Sequence, residues 1–508
     1  MLKSPQSEYN LPRWLVVGFS GHRHLGQHAN TAANAIREGI DKVASRCPRI
    51  AGVSSAASGG DTLFAEEMLR RQAPLSVVLP FACERFKEDF EREPSDAWQR
   101  SQEIIRRALD LDVVHQLDAD VATVVESGLP LEERSELGRT RDAKAYWEAT
   151  IRTVDRSDVL LAIWNGKPGQ GEGGTADAVK YAQRIGLPLI IFNPETGIYI
   201  EERLFNLLED TSSRVDPSGN SREIVQKYFH YLDNVASKHG PHARKIIRKY
   251  VYLHLAASAA GAASIIFSVS RGLSLVPGAF EVGLLAYAAN MLRNRGKHYR
   301  EWLSRRVEAE ICRSFLHTWN IRRHPMLGHQ PRPAVANQRR LFDELRFLRH
   351  LDISASPPLE VVRQEYLDNR VRDQLSYFDQ KHKIAEQTYA KYRRWSRACT
   401  IGAAIAALAV LGLLRMNGSH RFIHAFEFFG IVLPLGTTAA GFLMVTEEAS
   451  RRVTRYDQMK SAMERLKPIV EAAPTWEALA RAATHVEEEL LQELAEWESF
   501  VRNTEHLH

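Results

Sequence analysis

Four apolar windows in the second half of the sequence place the strongest limit on how this chain folds. They cover residues 251–270, 272–292, 398–414 and 428–446, in two close pairs, and the second window is interrupted by Glu281. A helix needs roughly 20 residues to cross a hydrocarbon core of about 30 Å. The pattern predicts two transmembrane hairpins, and helices buried in a soluble core are the alternative interpretation.

Basic residues are concentrated at the outer ends of both pairs of windows. The flanking residues are Arg244, Lys245, Arg248, Lys249, Arg293, Arg295, Lys297, Arg393, Arg394, Arg397, Arg451, Arg452 and Arg455. The turn within the first pair carries Arg271, and the turn within the second carries Arg415 and Arg421. Because positive charge is retained on the cytoplasmic side, we expect a multi-pass protein that contacts the lipid bilayer and keeps both termini in the cytoplasm.

The two hairpins have the pattern of a diverged repeat. Each is preceded by a Tyr-Phe pair and a polar helical stretch, at residues 228–250 and 377–395. Small residues four apart in each hairpin, such as Gly402 and Ala406, favour close helix packing and a homo-oligomer. Glu281 is either an intramembrane carboxylate with a functional role or a residue of the outer interface.

The first half of the chain alternates short apolar runs with helical patterns. The runs are residues 14–18, 50–54, 75–79, 158–163 and 187–192, and they are nearly continuous and rich in branched residues. Such runs suit parallel strands that are buried on both faces. The fold class predicted is therefore a Rossmann-like, doubly wound α/β domain followed by an all-α membrane region. An α/β domain without a ligand is the alternative.

These patterns divide the chain into five segments. They are an α/β domain (13–195), a linker (196–221), a first helical unit (222–318), a cytosolic helical connector (319–376) and a second helical unit (377–505). The formal charge of +5 is small for 508 residues and does not favour a nucleic-acid partner. The four cysteines form no CxxC pair, which excludes a thiolate zinc site and fits a reducing compartment. We expect no metal and no cofactor.

Three glycine-containing turns follow predicted strands, where open α/β sheets bind ligands. The first contributes Gly18, Ser20, Gly21, His22 and Arg23; the second Ser58, Gly59, Gly60 and Asp61; the third Trp164, Asn165, Gly166, Gly171, Gly173, Gly174 and Thr175. Backbone N–H groups at a helix start attract phosphate, an arginine adds a bidentate contact, and a tryptophan can stack on a base. The alternatives are ordinary tight turns and, for Asp61, a helix cap.

Several motifs carry a resemblance to a known family. In order they are GFSGHR, SGGDTLFAE, LPF (79–81), EDF (88–90), RDAKAYWE (141–148) and SDVLLAIWNG with GGTADAVKYA. Over about residues 13–195 they resemble the SLOG superfamily of Rossmann-like nucleotide sensors. The helical hairpins resemble the SLATT two-transmembrane effectors of bacterial conflict systems.

The resemblance implies a sensor–effector of the bacterial inner membrane in antiviral defence, with a nucleotide or NAD-derived ligand controlling a membrane-permeabilising module. The related phosphoribohydrolases carry a glutamate three positions after the GGxGT threonine, and here that position is Ala178. Sensing is therefore favoured over hydrolysis, and no catalytic residue is predicted. A membrane-tethered nucleotide or NAD N-glycosidase is the alternative, and a transporter or scaffold with a degenerate domain is a third hypothesis.

Overall fold

Seven strands form one sheet among the residues described by the computed structural model, which are 11–115, 131–169, 172–207, 220–266, 271–293, 295–321, 338–352 and 357–505. The strands are β1 (Leu15–Gly21), β2 (Ile50–Ser54), β3 (Leu75–Phe81), β4 (Asp110–His115), β5 (Val159–Ile163), β6 (Leu189–Phe192) and β7 (Tyr199–Glu202). Their order is β4-β3-β2-β1-β5-β6-β7. All neighbours are parallel except β6 and β7. The predicted doubly wound sheet is thus confirmed.

Five helices of eleven residues or more accompany the sheet in the described part of the first half. They are α1 (Ala29–Ala44), α2 (Gly60–Arg70), α3 (Ala97–Arg107), α4 (Leu131–Asp155) and α5 (Thr175–Ile185). Side chains of α1, α2 and α3 share one core with the sheet, including Ile36, Phe64 and Ile104. Residues of α4 and α5 pack in smaller clusters with the strands. The strands β2, β3 and β5 are buried at every position, as their continuous apolar sequences predict.

Two strands were not predicted from the sequence. Strand β4 contains Asp110 and Asp112. The Asp110 carboxylate binds Arg156, which directly follows α4, at 2.9 Å, and the Asp112 carboxylate binds Arg152 of α4 at 2.8 Å. Strand β7 pairs antiparallel with β6 at the edge of the sheet. Its charged sequence, YIEE, has no apolar alternation and suits an edge strand. The segment predicted as a linker (196–221) therefore contains the edge strand of the sheet.

A short stretch of the predicted connector belongs to the first structural unit. The chain divides into Met1–Ile224 with Arg346–Ile353 and Val225–Leu345 with Ser354–His508. Phe347 packs on Trp14, with ring centroids 5.2 Å apart. The segment that was predicted to connect the helical units therefore also completes the core of the α/β unit.

The second unit is helical in its described residues. Its helices are α6 (Ser221–Ile266), α7 (Arg271–Arg293), α8 (Arg295–Thr318), α9 (Arg339–Leu351), α10 (Leu359–Tyr366), a π-helical turn (Leu367–Arg372), α11 (Asp373–Arg415), α12 (His420–Thr446), α13 (Ala449–Glu471) and α14 (Trp476–Glu505). The first residues of α6 and the end of α9 belong to the first unit.

Two stretches are long and apolar enough to cross a membrane within the described residues. They are Leu359–Arg415 and His420–Glu471, whose most apolar 18-residue windows have mean hydropathies of 2.0 and 1.9. Only 6% and 22% of their most apolar windows are buried, so these are not core helices of this chain, and they indicate membrane association. They contain the third and fourth apolar windows.

The apolar hairpin of α11 and α12 is held together by small residues. A Cβ atom at Gly402 would lie 3.0 Å from Leu433, and one at Gly436 would lie 3.0 Å from the sulfur of Cys399. Ala406 is buried. The predicted small-residue spacing at 402 and 406 therefore faces the interior of the hairpin, where it allows close approach.

The first pair of windows lies on α6 and α7, and residues 267–270 fall outside the described part of the chain. Glu281 of α7 lies against α6, because a Cβ atom at Gly261 would be 2.7 Å from its carboxylate. The carboxylate thus faces the neighbouring helix. Whether this pair crosses a membrane stays a prediction, as does the multi-pass arrangement.

A buried ion pair lies beside the π-helical turn in the second unit. Arg370 donates to both carboxylate oxygens of Glu487, at 2.9 and 2.5 Å, and the Tyr366 hydroxyl donates to the same carboxylate at 2.8 Å. The side chains of Arg370 and Glu487 are only 1% and 0% exposed. Burial of this kind is tolerated when the charges are paired and hydrogen-bonded.

Candidate functional site

A cleft of about 650 Å³ opens at the carboxyl ends of the strands in the first unit. The strand order reverses between β1 and β5, so the loops that follow these two strands diverge and leave a crevice there. The cleft is lined by residues after β1, β2, β3 and β5 and by one side of α4. Its volume falls in the range of small-molecule sites.

Ten of the sixteen predicted ligand-binding residues line this cleft. They are Ser20, Gly21, His22, Arg23, Asp61, Trp164, Asn165, Gly173, Gly174 and Thr175. The topology brings together three turns, of which the third lies more than 100 residues after the other two in the sequence. Contact between these residues and a ligand stays a prediction.

Five predicted residues do not line the cleft: Gly18, Ser58, Gly59, Gly60 and Gly166. Gly18 lies against Ser157, whose hydroxyl occupies the place of a side chain. The Ser58 hydroxyl donates to Glu93 at 2.9 Å. Gly166 is in a turn with open space around it, and Gly171 lies outside the described residues.

Gly59 and Gly60 bring backbones together, as predicted, but the neighbour is another loop of the protein. A Cβ atom at Gly59 would overlap the carbonyl groups of His22 and Arg23. The Gly60 N–H donates to the His22 carbonyl oxygen at 3.0 Å. These glycines therefore fix the position of the first loop, which carries the side chains that face the cleft.

Arg23 is held by an acidic and an aromatic partner. Its guanidinium donates to Asp89 at 3.1 Å and lies 5.8 Å from the centre of the Tyr146 ring. The Tyr146 hydroxyl donates to the same carboxylate. Burial and the neighbouring Asp89 raise the pKa of Tyr146, so the phenol stays neutral. Arg23 is 40% exposed at its side chain, which leaves part of the guanidinium open to an anion.

Asp61 is a buried carboxyl group in the wall of the cleft. It is 4% exposed and accepts hydrogen bonds from the hydroxyls of Ser54 and Ser55 at 3.4 and 3.3 Å. Burial raises the pKa of Asp61 from 3.8 to about 7. These two bonds are long for hydroxyl donors, so they offset little of the desolvation cost. The N-cap of α2 is Gly59, and Asp61 lies in the first turn of the helix.

The loops after β1 and β5 meet through a histidine. The backbone N–H of Asn165 donates to Nε2 of His22 at 3.1 Å. Burial lowers the pKa of His22, and the neutral ring can accept this bond. The same β5 loop is closed by Lys167 and Asn165, which both bind Glu195 near 3.0 Å.

The first turn of α5 supplies backbone donors to the cleft. The Gly173 N–H is already taken by the Asp177 carboxylate at 3.0 Å, so it is not free for a phosphate, contrary to expectation. Among the described residues, no acceptor lies within hydrogen-bond distance of the N–H groups of Gly174, Thr175 and Ala176. Consecutive N–H groups at a helix start that make no other hydrogen bond are suited to an anion.

Trp164 occupies the end of β5 and lines the cleft. Its indole N–H donates to the Lys167 carbonyl oxygen at 2.9 Å, and its ring packs partly against Ala162, Val179 and Ile191. This anchoring fixes the ring at the rim, where stacking on a planar ligand loses little side-chain entropy.

Residues of α4 were missed by the sequence-based site prediction. Tyr146, Ala149, Thr150 and Thr153 all face the cleft. The Thr150 hydroxyl donates to the Gly173 carbonyl oxygen at 2.5 Å and so fixes the glycine turn. The signal was present in the RDAKAYWE motif, which was recognised for its resemblance but not assigned to the site.

The described residues contain no group of three or more His, Cys, Asp or Glu side chains that could hold a metal ion. The arrangement instead offers amide donors, one guanidinium, a neutral histidine and aromatic rings around a cleft at the switch point. Fold and cleft together define a Rossmann-like α/β domain. No family model matches the chain, and no curated protein shows significant similarity to it.

Proposed function

We propose that this protein is a membrane-anchored sensor–effector. The α/β domain binds a nucleotide or NAD-derived ligand, and the bound ligand controls a transmembrane module that permeabilises the membrane. The observation that carries the proposal is a ligand-sized cleft at the switch point in a chain that also contains two long, exposed apolar helices.

The chemistry of the cleft favours a phosphorylated ligand with a planar ring. The N–H groups of Gly174, Thr175 and Ala176 suit a phosphate group, and Arg23 lies in the same cleft. Trp164 and Tyr146 offer aromatic surfaces for a base. We propose that a ligand phosphate competes with Asp89 for Arg23, which would loosen the contacts between the β1 loop and α4.

The membrane arrangement follows from the apolar helices and the charges that flank them. We propose a multi-pass protein of the bacterial inner membrane, with both termini in the cytoplasm and a homo-oligomeric membrane module. The motif resemblance supports the proposal that the α/β domain is related to the SLOG sensors and the helical hairpins to the SLATT effectors. It also supports a biological role in antiviral defence.

Ligand binding is tested by a charge placed at the start of α5. Gly174 has extended backbone angles, φ −83° and ψ −179°, which any residue adopts and which suit a helix N-cap. Gly174→Asp should therefore preserve the fold while its carboxylate repels a phosphate. Gly174→Asn is the matched control, because it has the same shape without the charge.

The measurement is the melting temperature of the full-length protein in detergent with nucleoside monophosphates, NAD and ADP-ribose. A ligand at 100 times its Kd should stabilise the wild type by about 2.7 kcal/mol. The Asn variant should respond in the same way, and the Asp variant should not. A wild type that responds to none of these compounds, and carries none when purified from challenged cells, would contradict a sensor role.

The effector step needs a separate readout in cells. We expect membrane depolarisation when the wild type or Gly174→Asn is expressed under challenge, and a preserved potential with Gly174→Asp. Equal depolarisation by all three proteins would show that the cleft does not control the membrane module. Recovery of the protein in buffer without detergent would contradict the proposed membrane location.

One observation favours an enzyme as the second candidate. Asp61 lines the cleft with a pKa of about 7, which is where a general acid or base is most effective. An N-glycosidase would release free base from NAD or a nucleoside monophosphate during incubation with the full-length protein. Loss of that release in Asp61→Asn would assign the proton transfer to Asp61, and no release by the wild type would leave sensing alone.

A further inference from the structure

One face of α11 joins two arginines to a row of exposed apolar side chains. Arg394 and Arg397 are exposed, and the next residues on the same face are Ile401, Ile405 and Leu408. The three apolar side chains are 61%, 59% and 68% exposed. Spacings of three and four residues keep all five positions on one side of the helix. This set is called the Arg394–Leu408 face below.

The Arg394–Leu408 face is not used to pack the hairpin. The side of α11 that faces inward carries Tyr392, Cys399 and Ala406, which are all buried. Cys399 contacts Gly436 of α12. Because the hairpin is closed through this other side, the Arg394–Leu408 face remains open along its whole length.

The two arginines have unused hydrogen-bond donors. Among the described residues, no carboxylate lies within 4 Å of either guanidinium, and the one bond made by Arg394 runs from Nε to the Ala390 carbonyl oxygen at 3.4 Å. Arg248, by contrast, has an acidic partner, because its guanidinium lies 3.0 Å from the Glu447 carboxylate. Guanidinium groups that lack an acidic partner favour a phosphate ligand.

Aromatic side chains mark the same level of the hairpin. The rings of Tyr252 and Trp395 are 6.2 Å apart, and those of Tyr392 and Trp395 are 6.4 Å apart. Tyrosine and tryptophan concentrate where hydrocarbon meets headgroups. In a bilayer that the hairpin crosses, the arginines would therefore lie at the level of the lipid phosphates, and the apolar row would extend from them into the hydrocarbon.

We propose that the Arg394–Leu408 face binds one anionic phospholipid, with its phosphodiester on the two guanidinium groups and an acyl chain along the apolar row. The proposal rests on the membrane part of the proposed function. From Arg397 to Leu408 the helix rises roughly 16 Å at about 1.5 Å per residue. That matches one leaflet of a hydrocarbon core of about 30 Å. A free phosphate would use only the arginines.

The test uses full-length protein purified in a neutral detergent and measures its melting temperature against added lipid. Phosphatidylglycerol should raise the melting temperature in a saturable way, and phosphatidylcholine or inorganic phosphate should not. The double variant Arg394→Gln/Arg397→Gln should bind phosphatidylglycerol about 30-fold more weakly, from about 1 kcal/mol per arginine. Arg481→Gln, an exposed arginine on α14, is the matched control and should bind like the wild type.

Two further variants separate charge from folding. Arg394→Lys/Arg397→Lys keeps both charges and should retain most of the affinity for phosphatidylglycerol. Ile405→Ser/Leu408→Ser keeps both arginines but should weaken phosphatidylglycerol binding, because the acyl chain loses its apolar contacts. Equal responses to phosphatidylglycerol and phosphatidylcholine, or unchanged affinity in the double Gln variant, would overturn the proposal. A response to inorganic phosphate alone would show an anion site without a lipid. None of these results depends on a nucleotide or on membrane leakage. A failure of the lipid proposal can therefore be distinguished from a failure of ligand sensing.

Discussion

The backbone N–H of Asn165 donates a hydrogen bond to Nε2 of His22 at 3.1 Å, and this bond joins the loops that follow β1 and β5. Nε2 accepts a bond only when it carries no proton. The ring is therefore neutral with its proton on Nδ1, in agreement with the pKa of His22, which burial lowers from 6.5. The two sides of the switch point are therefore held together by a histidine that accepts this bond only while its ring is neutral.

We expect His22 to make the protein less stable in acid. The unfolded chain takes up a proton at His22 as pH falls below 6.5, whereas the native histidine does not, so unfolding becomes easier. His22→Gln keeps an acceptor that does not titrate. Melting temperatures between pH 7.5 and about 5.5 should fall more steeply for the wild type than for the variant. His485→Gln, at an exposed histidine, is the control, and parallel curves for wild type and His22→Gln would contradict the prediction.

Asp61 should have the opposite pH dependence. Its native pKa of about 7 exceeds the ordinary 3.8, so between these values the native state holds a proton that the unfolded state has lost. The free energy of unfolding therefore falls as pH rises through this window. Asp61→Asn removes the effect and should stabilise the protein at pH 8 by up to about 4 kcal/mol, from roughly 1.4 kcal/mol per pKa unit. Chemical denaturation at pH 5 and pH 8 measures it. If the gain in unfolding free energy of the variant over the wild type is the same at pH 8 and at pH 5, then Asp61 ionises in the native state at little cost.

Two glycines of the β5 loop should differ sharply in their tolerance of alanine. Both have left-handed backbone angles, with φ +75° at Gly173 and +81° at Gly166. A Cβ atom at Gly173 would also lie 2.6 Å from the Trp147 nitrogen, while one at Gly166 meets nothing within 4 Å. Gly166→Ala should cost about 1 kcal/mol of backbone strain. Gly173→Ala must also move the loop away from α4, so we expect a loss of more than about 2 kcal/mol and of ligand binding. Equal melting temperatures for the two alanine variants would contradict the close approach of Gly173 to α4.

The buried pair of Arg370 and Glu487 gives a prediction for the helical unit. Glu487→Gln removes the carboxylate that binds the buried Arg370 guanidinium, and breaking a buried pair typically costs about 3–5 kcal/mol. The adjacent Glu488→Gln is the control, because its side chain is 44% exposed and its loss should change stability by less than about 0.5 kcal/mol. Denaturation in detergent compares the two. If both substitutions cost the same, the ion pair contributes nothing specific to the native state.

The parallel core of the sheet was readable from the sequence because its strands are apolar throughout. β3 and β5 are buried at every position, so their sequences consist almost entirely of apolar residues. β4 was missed because Asp110 and Asp112 interrupt the pattern, and the arginines that neutralise them come from distant parts of the chain, such as Arg156. β7 was missed because an edge strand that faces solvent needs no apolar face.

The candidate site was partly readable for a similar reason. Turns after parallel strands meet at one edge of the sheet. The positions of Arg23, Asp61 and Thr175 at this edge could therefore be predicted from the order of strands and turns along the chain. The roles of Gly59 and Gly173 did not, because a glycine needed for contact with a ligand and one needed for contact with another loop look identical in sequence. The pairing of Arg23 with Asp89 also depends on a long-range contact.

The α/β unit is assembled from two separate stretches of chain, because Phe347 returns to cover Trp14. A protease that cuts once after Leu207 would therefore not free the α/β unit. The amino-terminal fragment would stay docked on residues 346–353, which remain covalently part of the other fragment, and the two pieces would co-migrate until denatured. Expressing the α/β unit on its own requires this returning segment to be supplied as well.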